Sequence, residues 1–291
     1  DSGSSLTLNP TSGNAVTGTY NLTIDSVGTS SINDPIAIST GNVTKTGAGT
    51  LTLGGTNTFT GDLTISAGTV TVSGTLHDDV DVINSGTYNV NTTDTINSLS
   101  GSGRVALGFN QTLTTGDAGN YEISGVISAT GSLIKVGSGT LTLSGTNTFT
   151  GDLTISAGTV TVSGTLHDDV DVINSGTYDV DTTDTINSLR GSGAVELNTG
   201  ITLTTGDAGD DTISGVISGA GNLTKVGAGI LTLTSNNSFS GTLTVSVGSI
   251  TLNDADGETG TVLSDSLTVI VNGGSITVSD TSEPVGTVTQ S

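Results

Sequence analysis

The sequence predicts an all-β protein built as a right-handed parallel β-helix, also called a β-solenoid. Three observations predict this fold: a long internal repeat, short stretches in which every second residue is apolar, and a composition with 44 Gly but only 3% aromatic residues. In a solenoid each unit buries its apolar face only against its neighbours, which explains such repetition. We call one complete circuit of the chain around the solenoid axis a coil.

The internal repeat has a period of 90 residues, since residues 50–99 recur as residues 140–189 with three changes. The three changes are Gly54/Ser144, Asn89/Asp179 and Asn91/Asp181. The pattern continues on both sides of these segments. We therefore predict one continuous solenoid with divergent N-terminal coils (1–41), a first repeat (42–131), a second repeat (132–221), and a partial third repeat with C-terminal coils (222–291).

Short strands and tight turns are expected throughout, and no helix. Apolar pairs such as Leu51/Leu53 and Val70/Val72 suit strands with one buried face, while Gly and Asn between them suit turns that need a positive φ angle. Coils of roughly 20 residues would give roughly 13 or 14 coils, with about four or five in each repeat. The alternatives are an antiparallel sandwich array of the immunoglobulin type and a jelly roll. Short alternating units and the absence of Trp disfavour the sandwich.

Differences between the two repeats predict which side chains face the core. Val105 and Leu107 are unchanged in residues 194–197 of the second repeat, whereas Arg104 is replaced by Ala and Ala106 by Glu. The changes fall on every second residue. This is expected of a strand that is packed on one face and solvated on the other.

A longer motif carries a resemblance to a known family. Residues 49–72 read Gly-Thr-Leu-Thr-Leu-Gly-Gly-Thr-Asn-Thr-Phe-Thr-Gly-Asp-Leu-Thr-Ile-Ser-Ala-Gly-Thr-Val-Thr-Val, preceded by Lys and Gly-x-Gly. This string resembles the passenger-associated strand repeat of bacterial autotransporters. It occurs at 42–72 and 132–162, and more loosely at 222–252. The resemblance implies a secreted β-solenoid, located outside the cell or on the bacterial surface, but no particular activity.

Charge and hydropathy limit the partners. The chain has 27 acidic and 5 basic residues, a formal net charge of −22, whereas nucleic-acid binding needs clustered Lys and Arg. No apolar run is long enough to cross a bilayer, so we expect no membrane insertion by this segment. The expected partners are another copy of the chain, met laterally or head to tail, and host or cell-surface material.

The first candidate site is the segment from His77 to Asp81, His-Asp-Asp-Val-Asp, which recurs at 167–171. If Val80 and Val82 face inward, the period of two places His77, Asp79 and Asp81 on the outward face of a strand. Carboxylates two residues apart can share a hard cation, but a closed calcium site needs about six to eight oxygen ligands. We therefore expect neither a metal site nor a cofactor. The weak calcium candidates are Asp79, Asp81, Asp169 and Asp171.

Two further constellations are expected to be structural. Residues 206–213 nearly match the calcium-binding nonapeptide of β-rolls, but they lack its second Gly, and Tyr121 replaces the essential Asp in the first copy. We expect a turn between coils there. A lysine precedes Gly-x-Gly in each copy, and nothing in the local sequence indicates that it is buried. We expect its stem to cover apolar surface at a corner while its ammonium meets a carboxylate or a carbonyl. These lysines are Lys45, Lys135 and Lys225.

Catalysis is not expected. Glycoside hydrolysis needs two carboxylates across a cleft, usually floored by aromatic rings, and the chain has only 4 Tyr and 4 Phe. Phe59, Phe149 and Phe239 share the 90-residue register, which favours packing at a turn. There is no Cys, and the two His are copies of one position. A polysaccharide-active β-helix enzyme is therefore a distant third hypothesis.

Two non-enzymatic functions stay open on these observations. The first is a structural or adhesive solenoid of a bacterial surface or secreted protein, which presents a repetitive surface for adhesion or self-association. The second is the subunit of an extracellular filament that assembles head to tail through its terminal coils, because unpaired strand edges promote pairing. We favour the first and keep the filament subunit as the alternative.

Overall fold

The structure, a computed structural model, describes residues 6–10, 12–253, 263–264, 267–278 and 288–290. The chain forms two compact units, unit 1 from Asp1 to Gly151 and unit 2 from Asp152 to Ser291. Both units are all-β, and no helix occurs among the described residues. Neighbouring strands pair in parallel in both units. The structure therefore confirms the predicted class, a parallel β-solenoid.

Unit 1 is built from very short strands. In chain order they are β1 (Leu6–Leu8), β2 (Val16–Thr17), β3 (Leu22–Ile24), β4 (Thr29–Ile32), β5 (Ile36–Ala37), β6 (Val43–Lys45), β7 (Thr50–Leu53), β8 (Leu63–Ile65), β9 (Thr69–Val72), β10 (Asp81–Asn84), β11 (Thr87–Val90), β12 (Asp94–Ile96), β13 (Ser98–Ser100), β14 (Arg104–Leu107), β15 (Thr112–Thr115), β16 (Tyr121–Ile123), β17 (Ile127–Ala129), β18 (Ser132–Lys135) and β19 (Thr140–Leu143).

These strands occupy three sides of the coil, which the chain visits in the order A, B, C. Side A contains β1, β4, β7, β9, β11, β14 and β17. Side B contains β2, β5, β12, β15 and β18, and the bridge between Thr56 and Thr75 fills the two positions between β5 and β12. Side C contains β3, β6, β8, β10 and β13, and the bridge between Gly101 and Ile123 continues it into β16 and β19.

Unit 2 repeats this plan. Its strands are β20 (Leu153–Ile155), β21 (Thr159–Val162), β22 (Asp171–Asn174), β23 (Thr177–Val180), β24 (Asp184–Thr185), β25 (Ser188–Arg190), β26 (Ala194–Leu197), β27 (Thr202–Thr205), β28 (Asp211–Ile213), β29 (Ile217–Gly219), β30 (Asn222–Lys225), β31 (Ile230–Leu233), β32 (Thr242–Val245), β33 (Ser249–Leu252), β34 (Thr268–Val271), β35 (Ser275–Val278) and β36 (Val288–Gln290). Side D contains β20, β22, β25, β28, β31, β33 and β35, side E contains β21, β23, β26 and β29, and side F contains β24, β27, β30, β32, β34 and β36.

The coils vary in length, and they number about 12 where the sequence predicted 13 or 14. Thr87 lies beside Arg104, 17 residues later, whereas Thr242 lies beside Thr268, 26 residues later. Long coils such as the latter reduce the number that the chain can form. The sandwich and jelly-roll alternatives are wrong, because both require antiparallel pairs. The right-handed sense and the boundaries at 41, 131 and 221 stay predictions.

The 90-residue repeat does not contain a whole number of coils. In unit 1, Val43 lies on side C, whereas Leu133, its equivalent one repeat later, lies on side B. Between these two residues the chain takes 14 steps from one strand position to the next, including the two filled by the Thr56–Thr75 bridge. At three positions to a coil, this is four and two-thirds coils. In unit 2, Leu153 on side D and Leu243 on side F show the same displacement.

Inward-facing apolar residues form a column on each side. On side A, Leu51, Val70, Tyr88 and Val105 follow one another in register and are at most 1% exposed. Burial of each such side chain contributes on the order of 1.5–3 kcal/mol. Val105 and Leu107 are buried and Arg104 is exposed, so the predicted alternation is confirmed. The predicted packing role of the repeated Phe is confirmed too, since Phe59, Phe149 and Phe239 are 0% exposed.

A buried Asn ties the coils together where a regular strand is missing. Asn57 Oδ1 accepts the N–H of Ile36 in the preceding coil at 3.1 Å. Asn57 Nδ2 donates to the carbonyl of Gly55 and to that of Thr75 in the next coil, both at 2.9 Å. The side chain thereby satisfies backbone groups of three coils, as buried polar groups require. The same position of the repeat holds the buried Asn147 and Asn237.

Candidate functional site

His77 belongs to a turn that precedes β10. The N–H of Val80 donates to the His77 carbonyl at 3.0 Å, and the N–H of Asp79 donates to His77 Nδ1 at 3.2 Å. The strand begins only at Asp81, so the expected strand does not reach His77 and Asp79, because these bonds close a turn instead. Both side chains face solvent, with 43% and 71% exposed. Val80 and Val82 are fully buried, as predicted.

Asp81 connects neighbouring coils. Its Oδ1 accepts from Asn97 Nδ2 at 2.8 Å and from Ser98 Oγ at 2.6 Å, both in the next coil. In unit 2, Asp171 Oδ1 accepts from Asn187 at 2.8 Å and from Ser188 at 2.9 Å. These side-chain donors occupy one of the two oxygens of each carboxylate.

The described residues contain no group of three His, Cys, Asp or Glu side chains that could hold a metal ion. In unit 2 the turn is the same, with the N–H of Asp169 donating to His167 Nδ1 at 3.2 Å. The four weak calcium candidates therefore divide into two kinds. Asp79 and Asp169 lie on exposed turns, and Asp81 and Asp171 are bonded to the next coil. Weak calcium binding at these residues stays a prediction.

The second constellation, residues 206–213, begins with a corner, as predicted, and ends with strand β28. Asp207 Oδ1 accepts the Gly209 N–H at 2.7 Å and so closes the turn. The equivalent Asp117 in unit 1 accepts the Gly119 N–H at 2.6 Å and the Tyr121 hydroxyl at 3.1 Å. These bonds, the one from Gly119 above all, lower the pKa of the Asp117 carboxyl.

The three lysines of the repeat lie in the interior, which sequence analysis did not predict. Lys45, Lys135 and Lys225 are at most 2% exposed. The Lys45 ammonium donates to the carbonyls of Gly47 and, at 3.3 Å, of Ser26 in the preceding coil. The expected carbonyl contacts are thus present.

Close approach of the backbone at this corner places the carbonyls around the ammonium. A Cβ on Gly47 would lie 2.2 Å from the carbonyl oxygen of Ser26, so only glycine fits there. Burial lowers the pKa of Lys45, and the negative charge of Asp25 opposes this shift. The ammonium makes two hydrogen bonds with the backbone, and this arrangement is that of a structural residue.

An interior carboxylate is the second feature that sequence analysis missed. Asp94 is 6% exposed, and its Oδ2 accepts the Leu76 N–H at 2.9 Å. Burial raises the pKa of this carboxyl to about 6. Asp184 repeats the arrangement in unit 2, accepting the Leu166 N–H at 2.9 Å, and burial likewise raises its pKa to about 6. The sequence does contain a signal for this burial. Asp94 precedes the inward-facing Ile96 by two residues, and residues two apart in a strand face the same side.

The hydroxyl of Tyr88 is buried beside this carboxylate and has no hydrogen-bond partner. Burial raises the pKa of Tyr88, and the charge of Asp94 raises it further. A buried phenol normally finds a partner, so Tyr88 is one of the few unit 1 side chains with an unsatisfied buried polar atom.

A groove of about 470 Å³ opens on side B beside this carboxylate. Its lining carries hydroxyl, amide, imidazole and carboxyl groups together with one Leu side chain, and it contains no Phe, Tyr or Trp, in contrast to the clefts in which sugars are usually cleaved. The lining residues are Thr56, Asn57, Thr58, Thr75, Leu76, His77, Asp78, Thr93, Asp94 and Thr95. The His77 imidazole already accepts a backbone N–H through Nδ1, and this bond orients it within its own turn.

Comparison with known families matches three segments of the chain to the passenger-associated-transport-repeat, at residues 43–72, 133–162 and 223–252. The three matches are 90 residues apart, and the first spans β6 to β9. No curated protein and no solved structure matches the chain. No helix among the described residues is long and apolar enough to cross a membrane.

The matched repeat confirms the resemblance to autotransporter passengers. It implies a secreted or cell-surface protein with a structural rather than a catalytic role. Together with the solenoid fold, it supports a structural role of the autotransporter-passenger type.

Proposed function

We propose that the chain is the structural solenoid of a bacterial surface or secreted protein, and that its repetitive outer surface serves adhesion or self-association. The observation that supports this most directly is the register of the outward-facing side chains. Thr50, Thr69 and Thr87 lie side by side on successive strands of side A, and similar rows occur elsewhere in the repeats. Strands in a sheet are about 4.8 Å apart, so the surface offers hydroxyl groups at a short and regular spacing.

Such a surface binds by adding many weak contacts. A hydrogen bond to a neutral hydroxyl contributes about 0.5–1.5 kcal/mol, but many equivalent bonds formed at once can hold a partner firmly. The interior ionisable groups take no part, since the lysines are satisfied by the backbone and Asp94 bonds to Leu76. No catalytic step is assigned to the groove on side B.

Self-association should depend on salt. The net charge of −22 opposes the approach of two copies, and the range of this repulsion shrinks to about 8 Å at physiological ionic strength. Light scattering across a salt series should therefore show a mass that increases with ionic strength. A monomer at every ionic strength would leave adhesion to a foreign surface as the function.

The hypothesis of head-to-tail filaments is tested separately by electron microscopy of the purified protein. Discrete short particles would eliminate it. Regular fibres whose thickness equals that of a single solenoid would support end-to-end assembly in place of lateral association.

A further inference from the structure

One side of unit 1 carries an uncharged field of small polar side chains, which we call the side A face. It is formed by the outward residues of β4, β7, β9 and β11, which pair in register in two adjacent rows. All are at least partly exposed. The residues are Thr29, Ser31, Thr50, Thr52, Thr69, Thr71, Thr87 and Asn89. The field ends at β14, where Arg104 follows Thr87.

Acidic groups of unit 1 lie among the outward strand residues of side C and at corners of every side, including Asp25 before β4 on side A. On side C, Asp62 precedes β8, Asp81 begins β10 and Glu122 lies in β16. On side B, Asp78 lies at the edge of the groove. Within a chain of net charge −22, the eight side chains of the side A face thus form an uncharged surface.

Unit 2 contains a similar uncharged surface on side F, which we call the side F face. Its outward residues lie in β27, β30, β32 and β34, which pair in register, and the described side chains in these two rows are uncharged. They are Thr202, Thr204, Asn222, Thr224, Thr242, Thr244, Thr268 and Ile270. Two independent parts of the chain thus build the same surface.

We infer that the side A and side F faces are the surfaces on which a second copy of this chain docks. This inference rests on the proposed self-association and names its surface. Two copies that meet through their acidic sides bring carboxylates together, and like charges about 4 Å apart repel by roughly 1 kcal/mol in water and roughly 4 kcal/mol near a protein surface. Contact through the neutral faces avoids this repulsion.

The side chains of these faces also lose little freedom on contact. Threonine is β-branched and restricted at χ1, so its hydroxyl is held in few orientations before the partner arrives. A surface that is ordered in advance gives up less rotamer entropy on binding than one built from long charged side chains.

The size of each face sets the strength of association. Four strands about 4.8 Å apart, with about 13 Å of strand length each, cover roughly 250 Å². A stable interface usually buries about 800 Å² on each partner. Docking through one face is therefore weak, and measurable association requires high protein concentration or engagement of both faces.

The experiment compares two fourfold variants with the same change in charge. The face variant carries Thr50→Glu and Thr69→Glu on side A and Thr224→Glu and Thr244→Glu on side F. The control variant carries Thr44→Glu and Thr64→Glu on side C and Thr154→Glu and Thr232→Glu on side D, all outward and partly exposed. Circular dichroism melts establish that both variants fold. Sedimentation equilibrium at several salt concentrations then gives the association constants.

We expect the face variant to associate at least about tenfold more weakly than wild type at high salt, and the control variant to stay close to wild type. Equal weakening in both variants would overturn the inference, since it would show that net charge alone governs association. So would a face variant that associates like wild type. A wild-type protein that remains monomeric at every salt concentration would overturn the proposed self-association itself, and the inference with it.

Discussion

Lys45 and Asp94 are both buried ionisable residues at inward strand positions of unit 1, but their surroundings differ. The Lys45 ammonium reaches carbonyls of its own corner and of the preceding coil. Asp94 accepts the Leu76 N–H, and the neighbouring Tyr88 hydroxyl has no partner. Backbone groups therefore hold both charges, through carbonyl oxygens at the cation and through N–H groups at the anion. A charge is therefore tolerated in a solenoid core where the adjacent coils present matching dipoles.

The largest effect should come from an acid placed where no donor is arranged. Val80→Asp puts a carboxylate at a fully buried apolar position, and we expect a loss of roughly 3–5 kcal/mol in the free energy of unfolding. Asp79→Val, one residue earlier but on an exposed turn, is the matched control and should be nearly neutral. Urea denaturation followed by circular dichroism measures both. The opposite ranking would contradict the assignment of inward and outward residues.

Removal of the interior cation should have the next largest effect. Lys45→Met keeps an apolar stem of similar length but removes the donor to the Gly47 carbonyl, whereas the Ser26 carbonyl keeps the Gly49 N–H. An unsatisfied buried polar group costs about 1–3 kcal/mol, and we expect a decrease of that size in the free energy of unfolding. Lys135→Met repeats the test at the equivalent position. An unchanged midpoint in both variants would show that water replaces the ammonium without loss.

The interior acid should make stability depend on pH. In the folded protein the pKa of Asp94 is raised to about 6 from its ordinary value of 3.8, so the fold favours the protonated acid. The stabilisation is complete below pH about 4 and is lost as the pH rises through about 6, because the unfolded chain then binds fewer protons than the folded one. Asp184 should behave in the same way.

The measurement is the melting temperature between pH 4 and pH 7. Asp94→Asn/Asp184→Asn keeps an acceptor for the Leu76 and Leu166 N–H groups but does not titrate. Relative to this variant, the wild type should lose a few degrees as the pH rises. If the melting temperatures of wild type and variant change with pH in parallel, both carboxylates are more exposed to solvent than the structure shows.

The smallest effect should be that of metal removal. The exposed Asp79 and the inter-coil Asp81 do not meet further acidic side chains in a metal-binding group among the described residues. We expect a chelator to leave the circular dichroism spectrum and the melting temperature unchanged. A large drop in melting temperature would make these turns structural calcium sites.

The sequence predicts the parallel solenoid and its inward residues well, because a period of two is visible in most of the described strands. Val80, Val82 and Val105 are buried for this reason. The burial of Lys45 was not predicted, since one of the carbonyls that it contacts belongs to Ser26, which lies 19 residues earlier in a neighbouring coil. The side A face was not predicted either. Its rows depend on coil lengths that differ from one circuit to the next, and local sequence does not reveal them.

The displacement of equivalent residues from side C to side B bears on how such a chain can grow. A duplicated segment must join the existing coils without a break in the core. It meets this condition whenever it adds a whole number of strands, because all three sides accept the same alternation of apolar and polar residues. The 90-residue unit adds 14 strand positions, which is not a multiple of three, so within unit 1 Leu133 lies on a different side of the coil from its equivalent Val43. Lengthening by duplication thus adds coils and at the same time moves equivalent side chains to a different side of the coil.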